Sequence, residues 1–179
     1  MKKVFKQLFF SVMCMMALAT IASCDKDSNS TGSGTPSGGI TPAGYVDLGL
    51  PSGTKWKAEN EENPNKDGNN FYTWDEAMAA FGNKLPTKEQ FMELRNSCDW
   101  TWTGMGYKVV GSNGNSIVLP AAGGRDCYGD VLSEGSYGHY WSSTPDGSEV
   151  AWRLYFYSGG VYVINGIRCF GHSVRLVQD

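Results

Sequence analysis

From residue 45 onward, apolar positions recur with two different periods, and the change falls near residue 102. Tyr45 to Leu50 and Thr54 to Ala58, around Trp56, read as two short strands, and Glu59 to Asn70 as a polar loop. Helical spacing follows. Thr73 and Glu76 form a capping box, with Trp74, Ala77, Met78 and Phe81 on one face and Gly82 at the stop. Thr87 and Gln90 repeat the device for a second helix whose inner face is Phe91, Leu94 and Cys98. After Trp102 the period is two. Tyr107–Val110 and Ser116–Leu119 flank Asn113-Gly114 as a hairpin. Trp152, Leu154 and Phe156 share one face of a strand, and Arg153, Tyr155 and Tyr157 the other. Ser158-Gly159-Gly160 turns the chain, Val161 and Val163 point inward and Tyr162 outward, and Asn165-Gly166 reads as another turn. Val174 and Leu176 alternate with Arg175 in a closing strand. Strand, two helices in the first half, then a meander of short antiparallel strands predicts an α+β domain over 45–179.

Composition sharpens this reading. The 23 glycines among 179 residues favour short strands and turns. Lys+Arg of 15 against Asp+Glu of 18 leaves a net charge of −3, which excludes a broad basic surface and with it a nucleic-acid partner.

The first 44 residues have another character. Lys2, Lys3 and Lys6 precede an apolar run from Leu8 to Ile21, shorter than the roughly 20 residues a permanent span needs. Ile21-Ala22-Ser23-Cys24 closes it and resembles a bacterial lipobox, so residues 1–23 are expected to be a lipoprotein signal peptide and Cys24 the lipidated residue. Acyl chains on Cys24 would make the membrane one partner. Asp25-Lys26-Asp27 resembles the export signals of surface lipoproteins in Bacteroidetes-type envelopes, which implies a lipid-anchored place on the outer membrane facing outward; in an enteric envelope Asp at this position would instead imply inner-membrane retention. The stretch that follows is rich in Gly, Ser, Thr and Pro, so 24–44 reads as a flexible tether with a reach of roughly 25 Å.

Candidate chemistry in the domain is sparse. Cys98, Cys127 and Cys169 allow one disulfide with one free thiol, or three buried thiols. His139 and His172 stand alone, so no metal site is drawn. Asn63-Pro64-Asn65-Lys66-Asp67-Gly68 partly matches a calcium loop but lacks the closing Glu, with Trp74 at the twelfth position. Cys127 and His139 lack the third group a nucleophile needs. Arg125-Asp126 reads either as a ligand-face pair or as a local ion pair. No cofactor and no enzymatic activity are expected.

The segments Leu85-Pro86-Thr87, Asn113 to Gly123 (NGNSIVLPAAG), Tyr140-Trp141-Ser142-Ser143 and Ser173 to Val177 (SVRLV) occur in order. Together they resemble the Fibrobacter succinogenes major paralogous domain (FISUMP) family, which is similar to C-type-lectin-like domains of the formylglycine-generating-enzyme type. The resemblance spans 45–179 and implies a C-type-lectin-like fold with neighbouring termini and a ligand face of loops. The paired active cysteines of formylglycine-generating enzymes are not recognisable, so that activity is not implied. The tail also resembles the variable proteins of diversity-generating retroelements, which end in a similar Trp-Ser-Ser to Val-Arg-Leu-Val block. The lack of lysine after Lys108 and of methionine after Met105 is compatible with adenine-directed diversification and equally with a lysine-poor binding surface.

The strand parity marks the ligand face. Arg153, Tyr155, Tyr157 and Tyr162 lie on the side away from the core, where same-face neighbours are about 6.6–6.8 Å apart. Tyr and Arg bind with little ordering cost. The predicted contacts are Arg153, Tyr155, Tyr157 and Tyr162, with Tyr137, His139, Glu149, Arg168 and Phe170 at the rim. The other arrangement packs this face under a loop of the same domain. The function expected is a surface lipoprotein, a possible diversified adhesin or receptor, that binds an external protein or glycan. The alternative is a structural envelope or fimbrial accessory subunit.

Overall fold

The computed structural model describes residues 44–64 and 70–179. The signal segment, Cys24, the tether before Gly44 and residues 65–69 of the calcium-like loop lie outside the described residues. Eight of the eleven described strands have five residues or fewer, because Gly, Asn and Pro recur at turn positions. The chain runs β1 (Tyr45–Asp47), β2 (Lys55–Lys57), α1 (Trp74–Phe81), α2 (Lys88–Ser97), β3 (Asp99–Trp102), β4 (Gly106–Val110) and β5 (Ser116–Pro120). It continues through β6 (Gly124–Arg125), β7 (Val131–Leu132), β8 (Tyr137–Pro145), β9 (Val150–Tyr157), β10 (Gly160–Ile167) and β11 (Val177–Gln178).

Both capping boxes form. The Thr73 and Thr87 hydroxyls accept from the amides of Glu76 and Gln90, whose side chains return to the threonine amides. All strand pairs are antiparallel, and they divide into the sheets β1-β2-β11, β10-β9-β8, β3-β4-β5 and β6-β7. This pattern corrects the α+β, C-type-lectin-like expectation of two helices set against one meander. Strands dominate, the helices have only 8 and 10 residues, and the strands form separate small sheets. Capping signals mark where helices start but not how large a share of the fold they take. The domain is a mostly antiparallel β structure with two short helices.

One core joins Trp56, Phe91, Leu119, Tyr140, Leu154 and Phe156; a second joins Trp74, Ala77, Leu85, Trp141 and Val174. Three local expectations change. Asn165-Gly166 is no turn: the pair continues β10 opposite Trp152 and Ala151. Trp152 is half-buried with Lys88 Nζ 3.4 Å from its ring centre, because β8 bulges between Trp141 and Pro145 and parity breaks there. The closing strand holds only Val177–Gln178, and Val174, Arg175 and Leu176 are all buried. Arg175 turns inward. Its guanidinium donates to the carbonyls of Lys57, Ala58 and Val118 and to Asn60 Oδ1.

The segments that carry the FISUMP resemblance touch one another. The Ser143 amide donates to the Pro86 carbonyl at 2.8 Å, the Trp141 amide to Ser173 at 3.1 Å, and Arg175 Nη2 to Val118 at 2.7 Å. Among the described residues no helix is long and apolar enough to cross a membrane.

Candidate recognition face and arginine pocket

The outer face of β8-β9-β10 carries a continuous tract of rings. Cross-strand register sets Tyr162 and His139 on either side of Tyr155, and Tyr137 opposite Tyr157. The centroids of Tyr157 and Tyr162 are 6.1 Å apart, those of Tyr155 and Tyr162 6.0 Å, and those of Tyr137 and Tyr155 5.8 Å. The tract continues from Tyr155 to His139 at 5.1 Å and from His139 to His172 at 4.9 Å. Tyr162 is 40% exposed, and Tyr137, Tyr155 and Tyr157 are half-buried against one another.

At its inner end the tract meets a cleft of about 410 Å³. Arg153 lines it with its guanidinium 5.7 Å from the Tyr155 ring centre, within cation–π reach. Arg153 Nη1 lies 2.8 Å from His139 Nδ1 and 3.0 Å from His172 Nε2. His172 Nδ1 faces the Gly171 carbonyl at 2.8 Å, so that nitrogen carries the proton and Nε2 accepts from Arg153. His139 accepts through Nδ1 in the same way. Burial, and secondarily the Arg153 charge, lowers the His139 pKa to about 4. Burial, then Arg153 and His139, holds His172 well below its ordinary value, against the opposing Gly171 carbonyl. Both imidazoles are therefore neutral acceptors at pH 7. Burial also lowers the Arg153 pKa, but a guanidinium stays charged.

The expected rim residues divide. His139 and Phe170 line the cleft. Glu149 and Arg168 do not join it and line a separate groove with Thr73 and Asp75. Arg168 Nη2 donates to the Gly147 carbonyl at 2.8 Å, and its guanidinium covers Trp74 at 3.9 Å, which ties the β8–β9 turn to α1. Arg125 and Asp126 are not an ion pair. The Asp126 carboxylate accepts the amides of Tyr128, Gly129 and Asp130, and Arg125 faces Glu76 at 4.0 Å. Cys127 is bonded to Cys169, so it is no nucleophile, and Cys98 is the free thiol among the described residues, its pKa raised to about 11 by burial, Asp99 and Glu93. The bridge sits beside a two-way backbone pairing of Arg125 with Gly171, and so joins the two strips of chain that bear Arg125 and Phe170. No group of His, Cys, Asp and Glu among the described residues is placed to hold a metal ion. The Asn63 side chain donates to the Phe71 carbonyl at 2.8 Å.

Sequence reasoning missed His172, Gly166 and Ile167 as parts of the site. His172 lies 19 residues from Arg153, and nothing local marks their meeting.

A family model described as a domain of unknown function (DUF8237) matches residues 87–177, which is 91 of the 179 residues. The chain belongs to the DUF8237 family. No curated protein and no solved structure matches it. The DUF8237 region takes in α2, the strands from β3 through β10, the whole ring tract and every residue that lines the cleft. In this DUF8237 chain the face brings together the aromatic rings, the half-buried Arg153 and an open hollow.

Proposed function

We propose that this protein is a lipid-anchored bacterial surface protein whose domain binds an external protein or glycan through the tyrosine tract of β8-β9-β10. The observation that carries the reading is the open face itself. Tyr162 is 40% exposed, Tyr137, Tyr155 and Tyr157 are half-exposed beside it, and the four rings lie within about 6 Å of a neighbour. Tyrosine rings pack on apolar or sugar faces while their hydroxyls hydrogen-bond, and rigid strands hold them in place before binding. The lipobox-like Cys24 and the Gly/Ser tether support presentation at the cell surface.

The test is capture from a glycan array and from a surface-protein library by the full chain, beside Tyr157→Ala and Tyr155→Ala. The expected result is one binder class whose capture falls about tenfold or more in either variant while the circular dichroism stays native. Capture indifferent to both substitutions overturns the reading.

A further inference from the structure

The cleft at the end of the tyrosine tract has a charge that its walls do not neutralise. Arg153 crosses Gly166 of β10 so closely that an added Cβ there would lie 2.6 Å from Nε. Its Nη1 is used by the two imidazoles. Its Nε is buried and meets no acceptor, and the same holds for Nε of Arg125 on the facing wall. No Asp or Glu lines the cleft. A buried charged donor without an acceptor is costly unless an anion completes it.

The remaining geometry selects the anion. With Nη1 held by the imidazoles and no carboxylate among the lining residues, the Arg153 guanidinium keeps N–H donors to spare, and a guanidinium matches the two oxygens of one carboxylate. Neutral imidazoles hold the guanidinium in place without cancelling its charge. Leu132, Val150, Ile167 and Phe170 also line the cleft, with Ser133 and Asn165 among them, and a hydrated phosphate gains little against the apolar groups. A volume of about 410 Å³ suits a body of one ring or a short chain. We propose that this cleft is a carboxylate pocket: it takes an organic carboxylate with a small apolar body, its oxygens on Arg153 and its body against Ile167 and Phe170. The proposal rests on this face being a recognition surface and names what its deepest part holds.

The test is calorimetric titration of the full chain at pH 7 with benzoate, benzamide, glucuronate, inorganic phosphate, and a short peptide ending in Phe as free acid or amide. Benzoate is expected to bind, and benzamide to bind about tenfold more weakly or worse. Arg153→Gln is expected to abolish benzoate binding. Should that variant fail to fold, Ile167→Trp, which fills the cleft and leaves Arg153 in place, gives the same loss. Peptide acid that outbinds benzoate, with the amide silent, supports the pocket and marks a chain terminus as the source; benzoate binding alone supports it with a free acid as the source. Glucuronate or phosphate binding as well as benzoate overturns the assignment, as does no carboxylate binding at all or binding unchanged in both variants. If benzoate fails while Tyr157→Ala still abolishes capture of the surface ligand, only the pocket falls. If both fail, the recognition reading falls with it.

Discussion

At the scale of single residues, His139 and His172 make the fold sensitive to acid. Both stay unprotonated when folded, His139 with a pKa of about 4, while in the unfolded chain each returns to about 6.5. The groups that face them are Arg153 and Tyr155 from β9, Tyr137 and Trp141 from β8, Phe170, the Gly171 carbonyl, and each other; none is a carboxylate that would favour the imidazolium. Between pH 6.5 and 4 the unfolded state therefore binds more protons than the folded one, and stability is fully present above about 6.5 and lost as pH falls toward 4. The loss approaches about 1.4 kcal/mol per pH unit for each imidazole. Urea denaturation at pH 7.5 and pH 5 measures it, and a midpoint that does not move between them removes the neutral-imidazole account. His139→Gln should reduce the slope by up to one proton.

At the scale of elements, what was readable was what is local. A capping box spans four residues, so Thr73-Glu76 and Thr87-Gln90 mark both helix starts without knowledge of the rest of the chain. Thr87→Ala is expected to cost about 1 kcal/mol of unfolding free energy, with the urea m-value unchanged; equal midpoints for the variant and the parent would show that the cap adds nothing. Alternation in β9 likewise places Arg153, Tyr155 and Tyr157 together, because period two is a property of one strand. Pairing is not local. Asn165-Gly166 has turn chemistry, yet the β9 ladder holds it extended, and Trp152 leaves the core because of a bulge in another strand. Glu149 and Arg168 lie near the tyrosines in sequence yet line a separate groove with Thr73 and Asp75. The imidazole brackets around Arg153 come from β8 and from the segment after β10, a meeting that only the tertiary fold creates.

At the scale of the whole molecule, separate small sheets are held together by a few long-range ties. The Cys127–Cys169 bridge encloses a sequence separation of 42 and spans the two strips of chain that bear Arg125 and Phe170. Its removal by Cys169→Ser is expected to lower stability by roughly 2–4 kcal/mol, read as a lower urea midpoint, and to loosen benzoate binding in parallel. A midpoint within experimental scatter of the parent would show that the bridge does not constrain the unfolded chain. The split into several sheets, and not one meander beneath two helices, explains why such ties are needed. Each sheet alone is too small to bury its own apolar face.

Arg175 is another of these ties, and it makes the last residues of the domain indispensable to the rest. Its guanidinium closes the core by gathering carbonyls from Lys57, Ala58 and Val118, and Val174 and Leu176 fill the space on either side. Without residues 174–178, Trp56 loses the strand partner Val177 and Trp141 the neighbours Val174 and Leu176, so a polypeptide cut before Val174 has no finished state to settle into.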